Sequence, residues 1–203
     1  MLKVEDKDVT NQIFVTSNIF TVHRKYRQII FIRMKEQIGQ TYYYPNFIND
    51  EEQSIIYEWS LRNEKYLIPN PSGPFRAREL FELIPEKIDV VYEIKKRIIE
   101  VEGIDGSYME PFRGDFVSVQ RNGAQVPNHT DHNPKDTTLY SRRYNVFISL
   151  PEKGGLPVYG GEVLNVPEKC LLRIDSGLIP HSTTKIEGDT PRIILSYGFA
   201  FKK

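Results

Sequence analysis

The 203-residue sequence predicts an α+β chain that is mainly β, a small β-sandwich or jelly roll backed by N-terminal helices. Three observations carry that reading. Helical periodicity is confined to two stretches in the first half. From about Asp115 the texture changes to short β-rich runs separated by turn residues. A hydrophobic content of 39%, with 12% aromatics, is enough for one packed core of ordinary domain size. The expected organisation is a single domain over 1–203, with N-terminal strands and supporting helices in 1–110 and a β core in 111–203.

In chain order, Ile13–Val15 and Ile29–Ile32 read as short strands. Asn49-Asp50-Glu51-Glu52 reads as a helix start, a polar cap followed three residues later by a carboxylate. Ile55, Ile56 and Trp59 then form an apolar stripe at helical spacing, with Trp59 as core packing. Pro69, Pro71, Ser72, Gly73 and Pro74 break regular structure. That segment is either a surface connector or a lid over a site, within a loop spanning roughly 64–86. Ile88 to Val101 is the second helix. Val90, Val91, Ile94, Ile98 and Ile99 fall mostly on one face, and Lys95, Lys96 and Arg97 point to solvent. The expected strands are Phe116–Gln120, Tyr144–Leu150, Gly161–Val166, Leu171–Ile174 and Arg192–Phe201. No internal repeat or low-complexity tract is visible.

Composition narrows the function. Lys+Arg and Asp+Glu are 27 each, so the net charge is zero and the bulk basic field of a strong nucleic-acid binder is missing. The one cysteine, Cys170, lies in an apolar run and reads as a core thiol, so no intrachain disulfide framework can form. The charged N-terminus carries no apolar signal segment, and no stretch approaches a membrane span. The expectation is a cytoplasmic protein with no membrane partner.

The chemistry lies in His129-Thr130-Asp131. Alternation along an extended strand puts residues two apart on one face, so His129 and Asp131 point the same way if Asn128–His132 is extended. A lone H-x-D arises often by chance, and its weight comes from residues further along the chain. His181 is a third candidate ligand, and Arg192 lies eleven residues after it. Two histidines and one carboxylate can hold one face of an iron(II) ion and leave the other open. The last strand has one face of Arg192, Ile194, Ser196, Gly198 and Ala200, and an opposite face of Ile193, Leu195, Tyr197, Phe199 and Phe201. The bulky face must pack. The smaller face is built to line a pocket, where the Arg192 fork can grip a carboxylate with help from Ser196.

Together, His129-x-Asp131, His181, Arg192 and Ser196 resemble the iron(II)- and 2-oxoglutarate-dependent dioxygenases, most of all the prolyl-hydroxylase-like subgroup. Asn122-Gly123-x-Gln125, Arg142 in the run to Leu150, and Gly160-Gly161-Glu162 add to the likeness over Phe116 to Phe201. So does Tyr43-Tyr44-Pro45-Asn46-Phe47-Ile48 further upstream. The resemblance implies a double-stranded β-helix of the cupin-like kind, with 111–203 as its catalytic core. It implies iron held by His129, Asp131 and His181, and 2-oxoglutarate held at its far carboxylate by Arg192 and Ser196. Dioxygen would complete the reaction, hydroxylating a substrate with release of succinate and carbon dioxide.

There are departures. Where relatives often carry a tyrosine reaching the 2-oxoglutarate, this chain has Val119-Gln120-Arg121, so Gln120 is the candidate substitute. Asn145 or Ser149 takes the place of a second tyrosine. Asp131 disfavours halogenation. His132 reads as structural or outward, and His23, among Arg24, Lys25 and Arg27, as a surface residue. Glu162 is either a group orienting a ligand or a turn carboxylate.

The expected substrate is a small molecule, such as an amino acid or a natural-product intermediate, because the chain has no recognisable extra domain. In the alternative, a peptidyl substrate is clamped by Arg76, Arg78, Glu79, Glu82 and the Pro-rich stretch. Nucleic-acid demethylation is disfavoured by zero net charge and the single arginine on the last strand. A non-catalytic β-sandwich binding module is the reading from a different class.

Overall fold

The computed structural model describes residues 34–70, 73–104, 114–136 and 138–203. The expected strands Ile13–Val15 and Ile29–Ile32, and His23, lie outside them.

The described chain opens with a hairpin, β1 (Glu36–Ile38) and β2 (Thr41–Tyr44). Helix α1 (Asp50–Asn63) starts where the sequence places it. The Asn49 side chain accepts from the Glu52 backbone at 2.8 Å, and Glu52 returns the contact to Asn49 N at 3.0 Å, a reciprocal capping box. Ile56 and Trp59 are buried, and Trp59 Nε1 donates to Glu86 O at 2.8 Å. Ile55 is exposed, a correction to the expected stripe.

Among the described residues, the segment expected as a surface connector or a lid is flanked by two strands. It joins β3 (Ile68–Asn70) to β4 (Gly73–Leu80), an antiparallel pair. Helix α2 (Asp89–Glu102) follows, buries Val91, Ile94 and Ile98, and ends at Gly103 in the left-handed conformation, where glycine carries no Cβ penalty. The expected solvent face of this helix needs correction. Lys95 is paired with Asp115 at 2.5 Å and Arg97 with Glu52 at 2.5 Å, so of the basic triplet only Lys96 is fully exposed.

The second half supplies β5 (Phe116–Gln120), β6 (Leu139–Ser149), β7 (Pro157–Tyr159), β8 (Glu162–Val163), β9 (Leu171–Ile174), β10 (His181–Thr183) and β11 (Arg192–Lys202). Strands β5 and β9 match the sequence reading, β6 begins five residues earlier than expected, and β8 is shorter. Among the described residues these strands form two sheets. One has eight strands in the order β1-β2-β9-β6-β11-β5-β4-β3, and the other three in the order β10-β7-β8. The pairings within both sheets are antiparallel. This is the double-stranded β-helix, or jelly roll, with helices covering one face.

Strand β11 shows why the layers form. Ile193, Leu195, Tyr197 and Phe199 enter the main core with Ile56, Trp59, Val91, Ile94 and Ile98 of the helices. Ile194, on the opposite face, joins a second core with Phe147, Tyr159, Leu164, Cys170, Leu172 and Ile174. Large apolar side chains on one face hold the helices, leaving the other face to enclose a cavity against the small sheet. One polar network ties α2 to the sheet. The Glu102 carboxylate accepts from the Tyr42, Tyr44 and Tyr144 hydroxyls, at 3.0 Å from Tyr42 and 2.8 Å from Tyr144.

Candidate metal centre and carboxylate pocket

His129 and His181 meet as an isolated antiparallel bridge. His129 N donates to His181 O at 3.0 Å and His181 N donates to His129 O at 2.8 Å. Residues opposed in this way present their side chains on one side, and the two rings stand 4.4 Å apart between centroids. Asp131 is anchored by its own backbone, its N–H donating to Ser176 O at 2.8 Å. Its Oδ1 then lies 3.6 Å from His129 Nε2. One ligand atom from each of the three residues falls within 4.8 Å of the other two. Residues 128–132 are extended only at the bridge, so the shared face expected of H-x-D comes from that bridge and the Ser176 tether, not from a strand.

The hydrogen bonds fix how the imidazoles present themselves. His129 Nδ1 lies 2.8 Å from Pro127 O and His181 Nδ1 lies 3.3 Å from Ile179 O. A carbonyl only accepts, so each Nδ1 carries the proton and each Nε2 offers a lone pair. This backbone orientation of the second ring nitrogen is common to metal-binding histidines. Two neutral imidazole donors and a carboxylate, with further positions left to other ligands, fit a ferrous ion well. Arg143 supports the carboxylate from behind, with Nε 3.6 Å from Asp131 Oδ2 and Nη1 donating to Gly114 O at 2.7 Å.

The three residues line one end of a cavity of about 80 Å³ between the two sheets. The other end is set by strand register. Arg192 on β11 sits opposite Gln120 on β5, which sits opposite Arg76 on β4. Arg192 is 3% exposed, its Nε donates to Gly155 O at 2.7 Å, and its guanidinium lies over the Phe147 ring at 5.2 Å. The loop that presents Gly155 depends on Gly154, whose φ is +74° and where an added Cβ would stand 1.8 Å from Lys185 O. Burial, and then the neighbouring Arg76 charge, depress the Arg192 guanidinium to about 9. A buried cation beside a second cation is a favourable seat for an anion. Gln120 is 1% exposed, with Nε2 donating to Ser118 Oγ at 3.3 Å and a buried Oε1 that has no partner. An unsatisfied polar atom in a cavity wall is the mark of a missing ligand or water.

The structure gathers His129, Asp131, His181, Arg192, Ser196, Gln120 and Asn145 around this one cavity. Ser149 is not among its lining residues and donates to Pro191 O at 2.8 Å. Glu162 is exposed at the start of β8, and His132 is exposed. The peptide clamp expected of Arg76, Arg78, Glu79 and Glu82 is divided. The two arginines line the cavity from a strand of the main sheet, and the two glutamates do not line it. Sequence reasoning missed Arg143, Phe116, Ser118 and Tyr159 as lining residues. The two-residue spacing of Arg76 and Arg78, the same spacing that marks H-x-D, was the available signal for a shared face.

No family model matches the sequence, and no curated protein is significantly similar to it. Solved structures are similar in fold. The viral collagen prolyl hydroxylase vCPH from Paramecium Bursaria Chlorella virus-1, in its 2OG complex, has 16% identity and a TM-score of 0.57 over 79% of this chain and 95% of that one. A Pseudomonas putida prolyl-4-hydroxylase has 15% identity and a TM-score of 0.59 over 79% and 91%. The non-heme α-ketoglutarate-dependent epimerase SnoN from nogalamycin biosynthesis has 14% identity and a TM-score of 0.59 over 79% and 78%. The β-helix that carries the two-histidine, one-carboxylate cluster therefore has the fold of the prolyl-hydroxylase-like 2-oxoglutarate oxygenases.

Proposed function

We propose that this chain is an iron(II)- and 2-oxoglutarate-dependent oxygenase that hydroxylates a C–H bond of a small molecule, such as an amino acid or a natural-product intermediate. One observation carries the reading. The three ligand atoms within 4.8 Å of one another share a cavity with a buried arginine and Ser196. An iron site without a carboxylate clamp, or a clamp without a metal site, would leave half of the chemistry unsupported. The two in one cavity argue against a non-catalytic binding module.

Iron(II) held by His129, Asp131 and His181 supplies the oxidising chemistry, in which substrate, dioxygen and 2-oxoglutarate give hydroxylated substrate, succinate and carbon dioxide. The chain's own residues bind, orient and exclude water. Pro127 O and Ile179 O hold the imidazoles in the tautomer that leaves Nε2 basic. Arg143 stands beside the Asp131 carboxylate, and the Ser176 carbonyl accepts from the Asp131 backbone N–H. Arg192 commits Nε to Gly155 and keeps its two terminal nitrogens for the distal carboxylate of 2-oxoglutarate, and Ser196, four residues along β11 and opposite Phe116, lines the same cavity. Gln120 and Asn145 line the same wall and serve its remaining oxygens. Phe147 and Ile194 keep that end dry, which strengthens each of these contacts.

A peptidyl substrate is the second reading, favoured by the two prolyl hydroxylases among the structural neighbours. The small-molecule reading is preferred because Glu79 and Glu82, half of the charged residues the clamp would use, do not line the cavity. Among the described residues no helix is long and apolar enough to cross a membrane.

The test is an anaerobic optical titration of metal-free protein with iron(II) and then 2-oxoglutarate, beside Asp131→Ala. A weak visible charge-transfer band that needs both additions and an intact Asp131 is the expected result. No band and no iron binding would overturn the assignment.

A further inference from the structure

The two histidines and the carboxylate of the candidate metal centre are anchored to different parts of the fold. His129 and His181 hold each other through their backbone bridge at the start of β10. Asp131 lies within residues 130–134, which form neither strand nor helix. Irregular backbone needs its own set of hydrogen bonds to stay in one conformation. Here those bonds run to β6 and to the turn after β9. Asp131 N donates to Ser176 O at 2.8 Å, the Ser141 hydroxyl donates to His132 O at 2.9 Å, and the Asn133 side chain closes the set.

Asn133 Oδ1 accepts from Ser141 N at 3.0 Å, and its Nδ2 donates to Gly177 O at 3.1 Å. A backbone N–H only donates and a carbonyl only accepts, so the amide has one satisfying orientation. Gly177 N donates in turn to Ser141 O at 2.8 Å, which ties β6 to the turn after β9. Ser141 and Ser176 are fully buried. The fit is close, since a Cβ at Gly177 would stand 2.0 Å from Asn133 Oδ1. Pro134 is buried and, as the next residue, favours extended backbone at Asn133. The chain is thus gripped at the Asp131 N–H and again two residues later, with the carboxylate between the two holds.

We propose that Asn133 is a positioning residue for the metal centre: by clasping Ser141 and Gly177 it presets the Asp131 carboxylate against the two imidazoles before an ion arrives. This rests on the reading of His129, Asp131 and His181 as metal ligands. Asn133 is not among the residues lining the cavity, so it acts through Asp131 and not on substrate. Without the clasp, part of the free energy of metal binding goes to ordering the carboxylate. The loss falls on metal affinity, beyond any loss of fold stability.

The experiment titrates manganese(II) calorimetrically into the metal-free full chain and records thermal unfolding of each metal-free variant. No binding by the parent, or parental affinity in Asp131→Ala, would remove the metal reading itself, and this inference with it. With the parent binding, Asn133→Ala should lose about tenfold in affinity, the low end of the range for groups that orient metal ligands. Asn49→Ala is the control. It removes the α1 cap and lowers the unfolding temperature, and it should keep parental metal affinity. Ser141→Ala keeps the backbone N–H that serves Asn133 and removes only the hydroxyl on His132 O, so it should lose affinity about threefold. Parental affinity in a folded Asn133→Ala would overturn the proposal. So would an equal loss in Asn49→Ala, which would make the effect one of general stability. If Asn133→Ala does not fold, Ser141→Ala decides in its place: the threefold loss supports the clasp, and parental affinity overturns it.

Discussion

Replacing Arg192 with methionine should separate ligand binding from fold stability, because the surroundings of this side chain act on the two in opposite ways. The side chain is buried, bonded through Nε to Gly155 O, and repelled by Arg76. Methionine removes the two terminal nitrogens assigned to the 2-oxoglutarate carboxylate. Charge-assisted hydrogen bonds contribute about 1.5–3 kcal/mol each, and Arg76 remains to compensate in part. A net loss of about 3 kcal/mol weakens 2-oxoglutarate about a hundredfold. For the empty protein, methionine relieves a desolvated charge but leaves the Gly155 carbonyl without its donor, a cost of about 1–3 kcal/mol. These terms oppose, so the melting temperature of the unliganded variant should stay within about 4 °C of the parent. The assay is thermal unfolding with manganese(II), with and without 2-oxoglutarate. At a hundred times the parental Kd the ligand stabilises the parent by about 2.7 kcal/mol, a rise of roughly 5–10 °C. At that same concentration the variant should gain only about 1–2 °C. A full ligand-induced rise in the variant would refute the clamp. A fall of more than about 10 °C without ligand would make Arg192 a structural post instead.

Three further outcomes are expected. His129→Ala and His181→Ala should each lose divalent-metal binding by at least about a hundredfold in calorimetry, with the metal-free fold intact by circular dichroism; parental affinity in either would displace the metal assignment. Tyr144 and Tyr197 are fully buried and burial holds both phenols above the ordinary tyrosine range. Unfolding above pH 10 releases their protons, so stability is complete below about pH 10 and should fall by about 1.4 kcal/mol per pH unit for each residue above it; urea midpoints that stay flat from pH 9.5 to 11 would contradict this. Burial pushes the Cys170 thiol up to about 12, so the native protein should resist a thiol-reactive disulfide reagent at pH 8 and react once unfolded; rapid labelling of the native chain would place that thiol at the surface.

Elements were legible in the sequence wherever apolar alternation survives. Strand β11 was readable in full because its two faces differ so sharply, one apolar and one small or polar. The H-x-D pair, His181, Arg192 and Ser196 were readable by residue type and spacing, and all line one cavity. Strand β4 was not, for a physical reason. Its cavity-facing residues are Arg76 and Arg78, so the strand lacks the apolar rhythm that betrays a half-buried strand, and its Pro-rich start reads as loop. The early part of β6 was hidden in the same way by Arg142 and Arg143. Strands β1 and β2 are too short to show a period, and β10 has three residues. The Glu102 network was beyond reach, because its tyrosines at 42, 44 and 144 are joined only by tertiary structure.

The two-sheet arrangement divides labour along the chain. The proposed metal ligands sit on the bridge joining His129 to His181 and on the Ser176 tether, while Arg76 and Arg78 line the same cavity from β4. The proposed metal ligands and the arginines of β4 thus come from separate segments of sequence. On the proposed reading, substitutions on β4 can reshape the cavity wall without removing any of the three proposed metal ligands. The scaffold is accordingly one in which a lineage can change substrate by small steps, each intermediate retaining its reactive core.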